Sequence, residues 1–123
     1  MTDEAKALLA LSLDSVESIE LLLLLRRAPD TFWRSEAASQ QLGISRELAD
    51  KKLAALTSGG LLVRGSETGA YRYAPRHEAI RENVDWLVDA YANRRVAVIN
   101  AIYSANLEKL RAFSDAFKLK DNS

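Results

Sequence analysis

Apolar residues crowd into one dense run near the start of the chain. Val16, Ile19 and the five leucines from Leu21 to Leu25 cover most of a helix circumference. A helix that is apolar nearly all round is one buried among other elements. Asp14 and Glu17 stand at its start with capping-box spacing, an acid replacing the usual Ser or Thr. Arg26 and Arg27 suit its C-terminal dipole, and Pro29 stops it. Residues 1–13 read as a short amphipathic lead. Beyond Pro29, the β-prone Thr31, Phe32 and Trp33 predict a short strand. Ser35 is a candidate N-cap for a helix through Leu42. Gly43 takes the position where left-handed backbone is tolerated, and Ile44 plugs the turn. Ser45 caps a further helix to about Ser58, and Gly59 and Gly60 end it. Leu61–Arg64 and Ala70–Tyr73 then read as two strands joined through the glycine-bounded GSETG, with Pro75 closing the hairpin.

The pattern becomes helical again at His77 and stays so to about Tyr103. Ile80, Val84, Leu87, Tyr91, Val98 and Ile102 recur at spacings of three, four and seven. Val88, Ala92, Val96, Ile99 and Tyr103 make a second stripe beside them. One stripe covers the chain's own core, and two are more than a lone surface helix needs. The second stripe therefore predicts a homodimer interface. Ser104, Ala105 and Asn106 predict a break. A last helix follows, with Leu107, Leu110, Phe113 and Phe117 in its packing, and a polar end. The expected class is mainly α with a small β-hairpin. The expected organisation is a helix-turn-helix unit with its hairpin over 1–76 and a C-terminal helical dimerisation extension over 77–123.

The stretch from Ser35 to Tyr73 carries the functional signal. Its two helices meet through the tight turn Leu42-Gly43-Ile44-Ser45, as steeply crossing helices require. Leu42, Ile44, Leu48, Leu53 and Leu56 supply a shared core. Lys52 falls near that apolar side and is expected to snorkel outward. Gln41-Leu42-Gly43-Ile44-Ser45, then Leu53-x-x-Leu56, then Gly60-Leu61-Leu62-Val63 and a basic hairpin resemble the winged helix-turn-helix superfamily of small bacterial transcriptional regulators. The resemblance spans roughly residues 14–76. It implies that the second helix enters the major groove of double-stranded DNA, presenting Arg46, Glu47, Asp50, Lys51 and Ala54. Lys51 lies where the resemblance expects a groove-facing basic or polar residue. Arg46 can reach a phosphate or a guanine edge, and Ser45 a phosphate at the helix N-terminus. Arg64 and Arg72 on the wing offer backbone or minor-groove contacts. A two-fold dimer would present two such helices about ten base pairs apart.

Charge both supports and tempers this reading. The chain holds 17 basic and 17 acidic residues, so any DNA affinity must come from a local patch. Residues 45–76 hold six basic residues against Glu47, Asp50 and Glu67, a local excess of three. Glu47 and Asp50, however, lie on the face that would read bases. Such acids can accept from cytosine but repel phosphate. Two functions therefore stay open: a dimeric DNA-binding regulator, or a winged-helix adaptor that binds a protein partner.

Other chemistry has little to stand on. There is no cysteine and one histidine, His77, too few ligands for a zinc site. His77 reads as a polar residue beside a helix start. Trp33 and Trp86 read as packing residues, and Asp85 and Asp89 as a solvated helix face. No phosphate loop or nucleophile motif is present, so the chain is not expected to be an enzyme or to need a cofactor. No apolar run is long enough to span a membrane and no leader pattern opens the chain, which predicts a cytoplasmic protein.

Overall fold

The computed structural model describes residues 3, 7, 8, 12–66 and 69–121, without the side chains of 113 and 115–121. Most of the expected lead over 1–13, the turn residues Glu67 and Thr68, and the packing expected of Phe113 and Phe117 thus lie outside the described residues. The elements run α1 (Val16–Arg27), β1 (Trp33–Arg34), α2 (Ser35–Leu42), α3 (Arg46–Ser58), β2 (Leu62–Arg64), β3 (Ala70–Tyr73), α4 (Glu78–Asn93) and α5 (Arg95–Asp121). The three strands form one antiparallel sheet in the order β1-β3-β2. Trp33 pairs with Tyr71 across β1 and β3, while Leu62 pairs with Tyr73 and Arg64 with Tyr71 across the hairpin.

The dense leucine run lies at the centre. Leu21, Leu22 and Leu25 are buried with Leu53, Leu56 and Leu61, and Tyr71 and Tyr73 close the cluster from the sheet. Val84, Leu87 and Tyr91 of α4 and Val98 and Ile102 of α5 join the same cluster. The first C-terminal stripe thus turns inward. Truncating a fully buried leucine such as Leu53 would cost about 2–5 kcal/mol.

Several local expectations move by a residue or more. Ser15, not Asp14, caps α1, its hydroxyl accepting from the Ser18 amide at 3.2 Å. The Asp14 carboxylate instead receives Lys52 Nζ at 3.3 Å and Lys109 Nζ at 3.8 Å. Lys52 therefore does not snorkel outward; its side chain is only 18% exposed. Ser35 is the first residue of α2 and not its cap. Arg34 still pairs with Ala70 in the sheet, so the extended capping position falls on Arg34. The Ser35 amide donates to the Gly69 carbonyl at 3.1 Å, fastening α2 to the wing turn.

The C-terminal break lies at Arg94, not at Ser104–Asn106. Asn93, Arg94 and Arg95 are all exposed, so nothing apolar is lost by interrupting the helix there. The bend brings Val98 and Ile102 back onto the core. Asn106 stays helical because its side-chain amide donates to the Asp14 carbonyl at 3.2 Å. Leu107 and Leu110 are exposed and do not pack within the protomer, since α5 projects beyond the core.

Candidate nucleic-acid interface

The turn between α2 and α3 is built from its glycine outward. Gly43 has φ +67°, a left-handed conformation that costs glycine nothing. The Ile44 amide then closes on the Ser39 carbonyl at 3.1 Å. Ser45 begins α3 and caps it, its hydroxyl accepting from the Leu48 amide at 3.1 Å. Inward Ala49, Leu53 and Leu56 are fully buried and fix the rotation of α3 about its axis. That rotation leaves Ser45, Arg46, Glu47 and Lys51 exposed and Asp50 and Ala54 half-buried.

The charges on this face are not equivalent. Arg46 Nη1 contacts Glu36 Oε1 of α2 at 3.1 Å, and Arg46 Nε lies 4.0 Å from Asp50 Oδ2. One of the two acids that counted against DNA is thus offset by its neighbour. Lys51 has no ion-pair partner among the described residues. Arg34, Glu36, Arg46, Asp50 and the wing glycine Gly69 line one shallow hollow between the starts of α2 and α3. Sequence reading missed Arg34 and Glu36, because sheet pairing and helix crossing bring them to Arg46. The exposed Gln40 and Gln41 on α2 could have been found from their polar positions before the turn.

The wing separates its two arginines. Residues directly opposite across an antiparallel pair share a face of the sheet. Arg64 is opposite the core residue Tyr71, on the helix side, and its guanidinium lies 5.5 Å from the Tyr71 ring centroid. Arg72 is opposite Val63, on the other side, with its guanidinium 5.4 Å from the Phe32 ring centroid. Strand alternation thus puts Arg64 and Arg72, the two arginines the wing offers for backbone or minor-groove contacts, on opposite sides of the sheet.

The second C-terminal stripe is divided too. Val88 and Ile99 are half-buried within the protomer, while Ala92, Val96 and Tyr103 are exposed. Val96 is 72% exposed and Tyr103 67%. Trp86, Leu107 and Leu110 are also exposed on these helices. His77 occupies the capping position of α4 without a side-chain capping bond. Asp85 is held by Arg26 at 2.8 Å. Among the described residues no group of three or more acids and histidines is placed to hold a metal ion. Nor is any described helix long and apolar enough to cross a membrane.

No protein-family model matches the chain, and no curated protein matches it. Two solved structures do. One, from Methanosarcina mazei Go1, is described as a possible transcriptional regulator; it is 18% identical with a TM-score of 0.54, covering 81% of this chain and 88% of the other. The second is the homodimeric winged helix-turn-helix DNA-binding domain of a possible ArsR-family transcriptional regulator from Mycobacterium bovis. It is 27% identical with a TM-score of 0.51, covering 76% of this chain and 88% of that domain.

Proposed function

We propose that this chain, a member of the winged helix-turn-helix superfamily, is a DNA-binding transcriptional regulator that acts as a homodimer. The observation that carries the reading is the α3 face. Buried Ala49, Leu53 and Leu56 lock the helix, and Lys51 stands outward with no ion pair among the described residues. In this reading α3 enters the major groove. Lys51 and Arg46 meet phosphates or guanine edges, Ser45 sits by a phosphate at the helix start, and Arg64 follows the backbone. Glu47 and Asp50 favour sites that offer cytosine amino groups. The likeness to the Mycobacterium bovis domain supports this reading. The protein would work in the cytoplasm, without catalysis of its own.

The dimer is formed through Val88, Ala92, Val96, Ile99 and Tyr103. The exposure of Val96 and Tyr103 supports it, because large apolar side chains on one helical surface favour a covering partner. The competing reading is an adaptor for a protein partner, favoured by the exposed acid Glu47 and the neutral net charge.

Titration of mixed genomic DNA at low and moderate salt separates the two. A regulator binds with log–log salt dependence, each phosphate contact contributing a slope of about −0.9. No binding even at low salt would overturn the DNA reading and leave the adaptor.

A further inference from the structure

A cleft of about 520 Å³ lies on the molecule between the end of α1, the end of β3 and α4. Small-molecule sites commonly fall between about 300 and 1,000 Å³. Three arginines line it, Arg26, Arg72 and Arg81, against two carboxylates, Asp30 and Asp85, and Tyr73 completes the wall. We propose that this cleft binds a small ligand through a carboxylate or phosphate oxyanion.

Two buried polar groups of the cleft's residues lack a well-formed hydrogen bond. Tyr73 is 6% exposed, and its buried hydroxyl lies by the Arg26 guanidinium without closing a well-formed hydrogen bond. Arg72 Nε is likewise buried and unpartnered. Leaving such a group unsatisfied costs about 1–3 kcal/mol, which an oxyanion reaching Arg72 Nε would recover. The other tyrosine buried by α4 behaves differently, since Tyr91 donates to Glu20 Oε1 at 2.8 Å.

The chemistry of these groups selects the ligand. Arg72 can only donate, and it has no carboxylate partner among the described residues. Its planar fork matches the geometry of a carboxylate or phosphate. Burial, with the Asp85 carboxylate nearby, raises the Tyr73 hydroxyl above its ordinary range, so it remains a donor at neutral pH. The remaining cations are already engaged, Arg26 with Asp85 at 2.8 Å and Arg81 with Glu78 at 3.4 Å. With Arg26 and Arg81 paired to Asp85 and Glu78, Arg72 is the one cleft arginine without an ion pair among the described residues. That suits one oxyanion and disfavours a polyphosphate chain.

The test uses the full chain without DNA, so its outcome is independent of the DNA reading. Acetate and inorganic phosphate are titrated separately, with chloride at matched ionic strength as control, and followed by amide and arginine Nε–H NMR. The expected result is a saturable shift at Arg72 and Tyr73 with at least one of the two oxyanions. The oxyanion that saturates at lower concentration identifies the preferred group. Arg72→Gln should weaken binding about tenfold and Tyr73→Phe severalfold. Arg81 is exposed on α4, so Arg81→Gln keeps the fold and should weaken binding about threefold. Shifts that fail to saturate with both oxyanions, that chloride reproduces, or that persist unchanged in Arg81→Gln and Arg72→Gln overturn the site.

Discussion

Arg46, placed at the DNA in the proposed function, is paired with an acid of its own protein. Its contact with Glu36 is largely solvent-exposed, and such pairs contribute only about 0–1 kcal/mol. Breaking it to reach a phosphate is therefore easy, yet it still competes. Glu36→Gln should raise DNA affinity severalfold, measured by fluorescence anisotropy at low salt. Lys51 has no such competitor. Lys51→Ala should weaken DNA binding by about 1–3 kcal/mol and lower the salt slope by about 2 per dimer. An unchanged slope would remove Lys51 from the interface. Tyr73 and Tyr91 make a separate residue-scale prediction. Burial raises both hydroxyls, with the Asp85 carboxylate adding to the first and Glu20 to the second. The folded state then holds these protons more tightly than the unfolded chain does. Their contribution to stability is complete below the ordinary tyrosine range near pH 10 and is lost as pH rises through their raised values. Ultraviolet titration should show two of the four tyrosines ionising late, coupled to alkaline unfolding.

Among the elements, the α2–α3 turn and the start of α1 set the site's geometry. Nothing lies within 4 Å of a Cβ added at Gly43, so an alanine there meets no clash. The cost is conformational, because φ +67° disfavours a side chain by about 1 kcal/mol. Gly43→Ala should lower stability by that amount, and Gly43→Asn by less, read from urea midpoints. Asp14 acts differently. It receives Lys52 of α3, Lys109 of α5 and the Asn106 amide, so one short segment fastens the recognition helix and the terminal helix together. Asp14→Ala leaves Lys52 half-buried without its carboxylate. We expect a loss of about 1–3 kcal/mol in denaturant unfolding, larger than for Asp14→Asn. Equal and negligible losses for the two variants would show that Lys52 reaches solvent.

Across the whole molecule, the proposed dimer would let α3 act in pairs. The exposed Val96 and Tyr103 lie on α5, beyond the bend at Arg94. Val96→Asp should abolish the dimer in sedimentation without unfolding the protomer, because Val96 makes no part of the core. The same variant should weaken operator-length DNA binding far more than it weakens half-site binding. A monomer at micromolar concentration for the unmodified protein would reject this interface.

The order and type of the main elements were legible in the chain's local pattern. Helical period, Gly43, the glycine stop after Ser58 and the glycine-bounded hairpin are local signals, and each acts through the backbone of a few neighbouring residues. They also marked Ser45, Arg46 and Lys51 as candidates, since inward Leu53 and Leu56 leave those positions outward. Pairings between distant segments were not legible. Arg46 meets Glu36 because two helices cross; Asp14 gives up its cap because Lys52 and Lys109 reach it from other elements. The bend lies at Arg94 because it brings Val98 and Ile102 into the cluster with Val84, Leu87 and Tyr91 while both flanks stay helical. Arg72 stands beside Phe32 because register against Val63, which depends on the folded hairpin, turns it to the face opposite Arg64. Local patterning fixes conformation within a turn or two of helix. Which charged groups become neighbours depends on long-range packing, which no local stretch of the chain encodes.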